Sequence, residues 1–188
     1  FEQIFAEQRP FFTEGTDLFS KGDLFYSRRI GSEPSTYPDT TSDEEVINYP
    51  NTVNLLNALK ISGRTKSGLG IGVLNAITEK TNAIVRKTTI NPDNSETISE
   101  RDVVVEPLAN YNVLVLDQRF NKNSSVSLVN TNVTRNGEYR DANVSALVWD
   151  LNTKKNTFNL DGDFKYSYVN ELSDLEDRKG YVSSLSFG

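Results

Sequence analysis

Cysteine, histidine and methionine are all missing from the 188 residues of this chain. Without cysteine there is neither a disulfide framework nor a thiolate metal site. Without histidine the chain alone cannot build a Ser-His-Asp or Cys-His nucleophile or an HExxH zinc site, since each needs an imidazole. Apolar residues are scarce as well, at 36%. No window approaches the roughly 18 consecutive apolar residues that a membrane-spanning helix needs. That says nothing of a β-barrel, whose alternating strands keep mean hydropathy low. Lys plus Arg number 20 against 26 Asp plus Glu, a net charge of -6. This argues against the basic footprint on which nucleic-acid binding depends. The chain opens at Phe1 with no charged stretch followed by an apolar run, and is read as a fragment of a longer protein.

What is present is a periodicity of two. In "FNLDGDFKYSYV", Phe158, Leu160, Phe164, Tyr166 and Tyr168 alternate with Asn159, Asp161, Asp163, Lys165 and Ser167. "LLNALKISGR" from Leu55 and "LGIGVLNAIT" from Leu69, joined by "TKSG", read as a hairpin. The glycines at 68, 70 and 72 lack the following helix and Lys-Ser/Thr of a phosphate loop. On one face of a strand they leave a cleft, or let another backbone come close. "YNVLVLDQRF", "SVSLVNTNVT", "ANVSALVWDL" and "TFNLDGDFKYSY" read as consecutive strands, linked by the turn-forming "NKNS", "RNGEYRD" and "NTKKN". "GYVSSLSFG" ends the series after the link "NELSDLEDRK". Short connections make an antiparallel meander. The polar stretch "NPDNSETISERD" from Asn91 separates the first hairpin from this group.

Residues 1–50 are of another kind: an aromatic and glycine-rich entry segment, then the acidic loop "SEPSTYPDTTSDEEVINYPN". They are expected to form a first strand or a plug-like element, and residues 51–188 the antiparallel strands of a barrel. The acidic run Asp39, Asp43, Glu44 and Glu45 lacks the spacing and turn glycine of a calcium loop and reads as solvated.

Two all-β architectures fit these strands. In a soluble β-sandwich that binds carbohydrate through Trp149 and the tyrosines, the apolar faces would pack a core. In an outer-membrane-type barrel they would meet lipid. Strands of about nine to eleven residues match a tilted bilayer crossing, whereas soluble strands centre near five or six. Tyr and Phe also gather toward strand ends, as in an interfacial aromatic girdle.

"RPFFTEGTDLFSKGDLFYSRRIG", "KISGRTKSGLGIGVLNAIT", "PLANYNVLVLDQRF", "SSVSLVNTNVTR" and "KKNTFNL" follow one another between Arg9 and Leu160. Together they resemble a Bacteroidota domain family of unknown function that follows a family-nine-type carbohydrate-binding module and looks like a large outer-membrane β-barrel. The resemblance implies a partial barrel, the N-terminal part of the family domain, placed in the cell outer membrane. It implies lipid as a partner, with glycans or other outer-membrane proteins besides, and neither a cofactor nor a reaction.

On that basis the expected function is non-enzymatic: a channel or surface-anchoring barrel with a polar lumen. Lys60, Arg64, Asp161, Asp163 and Lys165 are the lumen-lining candidates, because a charge facing lipid at mid-membrane costs about 2–4 kcal/mol. Asp161 and Asp163 stand at i, i+2, about 6.5–7 Å apart, a separation open to glycoside hydrolysis. Nothing nearby is placed to raise one pKa, so they read as lumen polarity. Phe11, Phe12 and Glu14 are plug or latch candidates, with Glu14 facing a lumen cation such as Arg64. The competing expectation is that both rings anchor the first strand at the bilayer interface.

Overall fold

A computed structural model of the chain describes residues 7–172 and 176–188. Residues 1–6 of the entry segment and 173–175 of the "NELSDLEDRK" link lie outside the described residues. Among those described, ten antiparallel strands form two sheets. The larger contains β2 (Leu55–Arg64), β3 (Leu69–Thr78), β6 (Ala109–Phe120), β7 (Ser124–Arg135), β8 (Asp141–Asn152), β9 (Asn159–Asn170) and β10 (Arg178–Phe187). Its order is β10-β9-β8-β7-β6-β3-β2. The sheet is not closed: β2 and β10 are its edges, as suits a partial barrel. Its strands run 10 to 12 residues.

Turn chemistry sets the meander. Asn121 and Lys122 both adopt positive φ, 53° and 64°, the signature of a tight hairpin turn that asparagine tolerates. Gly68 has φ 91°, and a Cβ there would lie 2.7 Å from the carbonyl oxygen of Arg119, so only glycine closes that turn.

The smaller sheet has the order β1-β4-β5, with β1 Glu44–Asn48, β4 Thr81–Ile90 and β5 Glu96–Glu106. It continues one hairpin beyond the larger sheet. The register that pairs Leu69 with Gln118 and Thr78 with Ala109 carries on to pair Thr81 with Glu106. The ladder breaks at 79–80 and 107–108, where Pro107 has no N–H and the N–H of Glu79 donates to the carbonyl of Asn54 at 2.8 Å. The polar stretch from Asn91, read from sequence as a separator, thus carries β5. Glu96–Asp102 are exposed on both faces, so no hydrophobic alternation marks the strand.

Residues 7–33 form no strand and run as a strap over one face of the larger sheet, with a short helix α1 (Pro10–Thr13) and two 3-10 turns, while residues 34–53 lie by the smaller sheet and supply β1. The core lies between strap and larger sheet: Phe12, Leu18, Phe19 and Ile30 of the strap against Leu74, Ala76, Val113, Val115, Val129 and Ala146 of the sheet.

Candidate functional site

The strap is tied down by Arg9. Its guanidinium donates to both carboxylate oxygens of Glu7 (2.9 and 2.8 Å) and to the carbonyls of Ile30 (2.7 Å) and Ser27 (2.9 Å), and stacks 4.3 Å from the centre of the Phe12 ring. Ser27 Oγ donates to Glu7 as well, at 2.7 Å. The Arg9 guanidinium, outweighing partial burial and helped by Ser27, holds the Glu7 carboxyl at about 2, well below its usual range. One planar fork thus closes the loop from residue 7 to residue 30.

On the covered sheet face, β3 offers Gly70 and Gly72. A Cβ at Gly70 would come within 2.8 Å of both Leu18 and Arg64, and one at Gly72 within 3.3 Å of the Phe19 ring. The cleft expected from these glycines exists, and the chain's own strap fills it. The missing side chain also lets Arg64 on β2 reach across β3 to Asp117 on β6, both of which flank Gly70 in register. Asp117 is fully buried, at 0% exposure. It accepts from Arg64 and from Ser127 Oγ (2.7 Å), with Lys21 of the strap and Arg119 each 3.7 Å away. A buried carboxylate survives there because three cations and a hydroxyl surround it.

The expected lumen residues all stand on this covered face, at opposite ends of the sheet. Lys60 Nζ donates to the backbone carbonyls of Phe11 and Glu14. Arg64 is engaged by Asp117 and not by Glu14, because Asp117 faces it directly across Gly70. On β9, Asp163 pairs with Lys165 at 3.2 Å, and Asp161 lies opposite Asp150 of β8. The structure therefore brings Lys60 and Arg64 to the strap and leaves Asp161, Asp163 and Lys165 apart from them. Phe11 and Phe12 lie in α1, not in a strand, and Phe12 is buried in the core with Phe11 set edge-on against it. Asp117, Arg9 and Lys21 escaped the sequence reading. Asp117 had a signal, as the single acid on the alternation Tyr111, Val113, Val115.

The other face of the larger sheet is bare. Its side chains run in register across the strands, as in the row Ile71, Leu116, Leu128, Leu147, Phe164. Leu128, in the middle, is 47% exposed, and Ile61 on β2 reaches 59%. Toward the smaller sheet this band gives way to amides: Asn75 donates to Asn110 and Asn112, and Asn130 to Asn143 and Ser145. The border is drawn by Asn57 and Leu59 on β2, Asn75 and Val73 on β3, Asn112 and Leu114 on β6. It continues through Asn130 and Leu128 on β7, Ser145 and Leu147 on β8, Tyr166 and Phe164 on β9, and Ser183 and Leu185 on β10. Ile77 is an apolar residue on the polar side of it. Followed through the pairing register, the border slips by about six residues over the six steps from β2 to β10. At roughly 3.3 Å per residue and 4.8 Å per strand, that is a line inclined by about 35° to the perpendicular of the strands.

Residues 1–188 match the family profile described as a domain of unknown function, DUF5916. The chain belongs to that family. No curated protein and no solved structure matches the DUF5916 chain. The family carries no assigned activity, so the chemistry rests on the two faces of the sheet. No helix among the described residues is long and apolar enough to cross a membrane, which leaves open a crossing by strands.

Proposed function

We propose that this DUF5916 chain is a wall segment of a transmembrane β-barrel in the cell outer membrane, with its apolar face toward lipid and its strap inside. The observation that carries the proposal is the slanted border. A membrane surface is flat, and strands of transmembrane barrels tilt by about 35–45°. A flat interface therefore crosses such strands obliquely, advancing by about one residue per strand. The tyrosines Tyr166, Tyr168 and Tyr181 lie on its polar side and Phe158, Phe187 and Trp149 toward the opposite end, the arrangement of two aromatic girdles. No second sheet lies over the bare face among the described residues, which favours lipid over the core of a β-sandwich.

The role is non-enzymatic. The strap occupies the space that would be the lumen near β2 to β8, and the charges of β9 line what remains, so passage of a solute would be gated by the strap. The resemblance to Bacteroidota barrels that follow a carbohydrate-binding module supports a surface-anchoring role as a second reading. Fractionation of the source cells, followed by electrophoresis in SDS with and without boiling, tests the barrel. A membrane band that shifts on heating is expected, and a soluble band without a shift contradicts the proposal.

A further inference from the structure

We propose that the cavity between strap and sheet binds an anionic amphiphile, a molecule with an aliphatic body and a carboxylate or phosphate head. The inference goes beyond the membrane reading and does not need it, because the cavity is built by contacts within the chain. It measures about 460 Å³, within the range of small-molecule sites. Its floor is mostly aliphatic: Val113, Val133, Ala142, Val144 and Val169, contributed by four adjacent strands of the covered face, with Thr131 between Val113 and Val144. Leu24, Phe25 and Ile30 of the strap form the roof.

Three arginines are gathered at one end. Arg135, Arg140 and Arg178 line the cavity where β7 ends and where β8 and β10 begin. Two carboxylates also line it, Glu33 and Glu106. Glu106 is turned to Ser35, accepting from its backbone N–H (2.8 Å) and Oγ (2.5 Å). Arg140 and Arg178 share Glu171. Arg135 has no carboxylate partner on its guanidinium among the described residues, and gives one donor to the carbonyl of Arg140 at 2.5 Å. Glu33, Glu106 and Glu171 stand against the charges of this end, and the guanidinium of Arg135, with no carboxylate on it among the described residues, is the group placed to meet an anionic head beside the apolar slot. A guanidinium fork matches carboxylate and phosphate oxygens in pairs, while the valine floor rewards a hydrocarbon body by its buried area.

The test uses the full protein in dodecyl maltoside and follows binding by calorimetry. The probes are octanoate for a fatty-acid source, 1-octanoyl-glycerol 3-phosphate for a lipid source, and 1-octanol as the neutral control. At least one anionic probe should bind saturably and ten-fold or more tighter than octanol, and which of the two binds tighter assigns the source. Arg135→Gln should weaken that binding about ten-fold, and Lys154→Gln, in a distant turn, should leave it unchanged. Val144→Phe, which fills the slot without touching charge, should abolish binding while leaving the thermal unfolding midpoint near that of the parent. Anionic probes that bind no better than octanol, or affinity that survives both Arg135→Gln and Val144→Phe, would overturn the proposal. A missing heat shift in SDS would instead count against the barrel alone.

Discussion

The hairpin from Leu69 to Phe120 is one ladder in two environments. Its lower half, β3 and β6, is apolar on both faces: Leu74, Ala76, Val113 and Val115 are buried under the strap, and Ile71, Val73 and Leu114 point outward, exposed. Its upper half, β4 and β5, buries Ala83, Val85 and Val105 and leaves Ile90 and Ile98 exposed. Elsewhere it is charged. Arg86 pairs with Glu100 (3.1 Å), Arg101 with Glu44 (3.0 Å) and Lys87 with Asp43 (3.1 Å). Above the break at Pro107, Arg101 and Lys87 share the face of buried Val85, and Arg86 with Glu100 shares the other face with Ile90 and Ile98, so charge enters both faces where the lower half is mainly aliphatic. On the proposed membrane reading, the sheet leaves the bilayer near that break.

The comparison is broken most forcefully by a charge on each half. Leu128→Arg, in the middle of the bare band, should cost about 2–4 kcal/mol in lipid, while Ile98→Arg on β5 should stay within about 0.5 kcal/mol. Denaturant titration of vesicle-reconstituted protein reads both, and equal small effects would mean that both halves face water.

Ion pairs sharpen the contrast next. Removing a partner from a buried pair leaves uncompensated charge. Asp117→Asn should cost about 2 kcal/mol, at the low end because Arg64, Lys21 and Arg119 keep access to water. Arg101→Gln, in a partly exposed pair on the upper half, should lower the unfolding midpoint by less than Asp117→Asn does, with the Glu44 carboxyl, lowered by the Arg101 guanidinium and the Thr41 N–H, losing its main partner.

Acid gives the smallest effect. Glu7 sits at about 2 against an ordinary 4.5, so its contribution is complete above about pH 4.5 and fades as pH falls toward 2. After discount for solvent access it is about 1 kcal/mol. The pH dependence of the unfolding midpoint between 5 and 3 should flatten in Glu7→Gln. An unchanged slope would mean that Arg9 does not hold the strap through this carboxylate.

Much of the fold was legible because alternation marks strands that bury one face. β2, β3 and β6 to β10 all carry that period, and Asn, Gly and Lys mark their turns. β5 was not legible, since Glu96–Asp102 have water on both sides and no period to show. The strap was legible only as a composition, because α1 and the 3-10 turns are shaped by Arg9 reaching across some twenty residues. The covered cleft could be read from Gly70 and Gly72, but not what fills it. Arg64 was recognised as an inward cation, while its partner depended on a register between β2, β3 and β6 that alternation alone does not set.

Trp149 offers the most direct test of the central claim. It is the single tryptophan of these 188 residues, pairs with Gly162 in register, and lies so close over it that a Cβ there would come within 2.6 Å of the indole. It stands on the bare face beside Val126. In the full protein, with any other tryptophan replaced by phenylalanine, its fluorescence should be quenched by lipids brominated on their acyl chains and shielded from aqueous iodide. Strong iodide quenching with no response to brominated lipid would place that face in water and contradict the account.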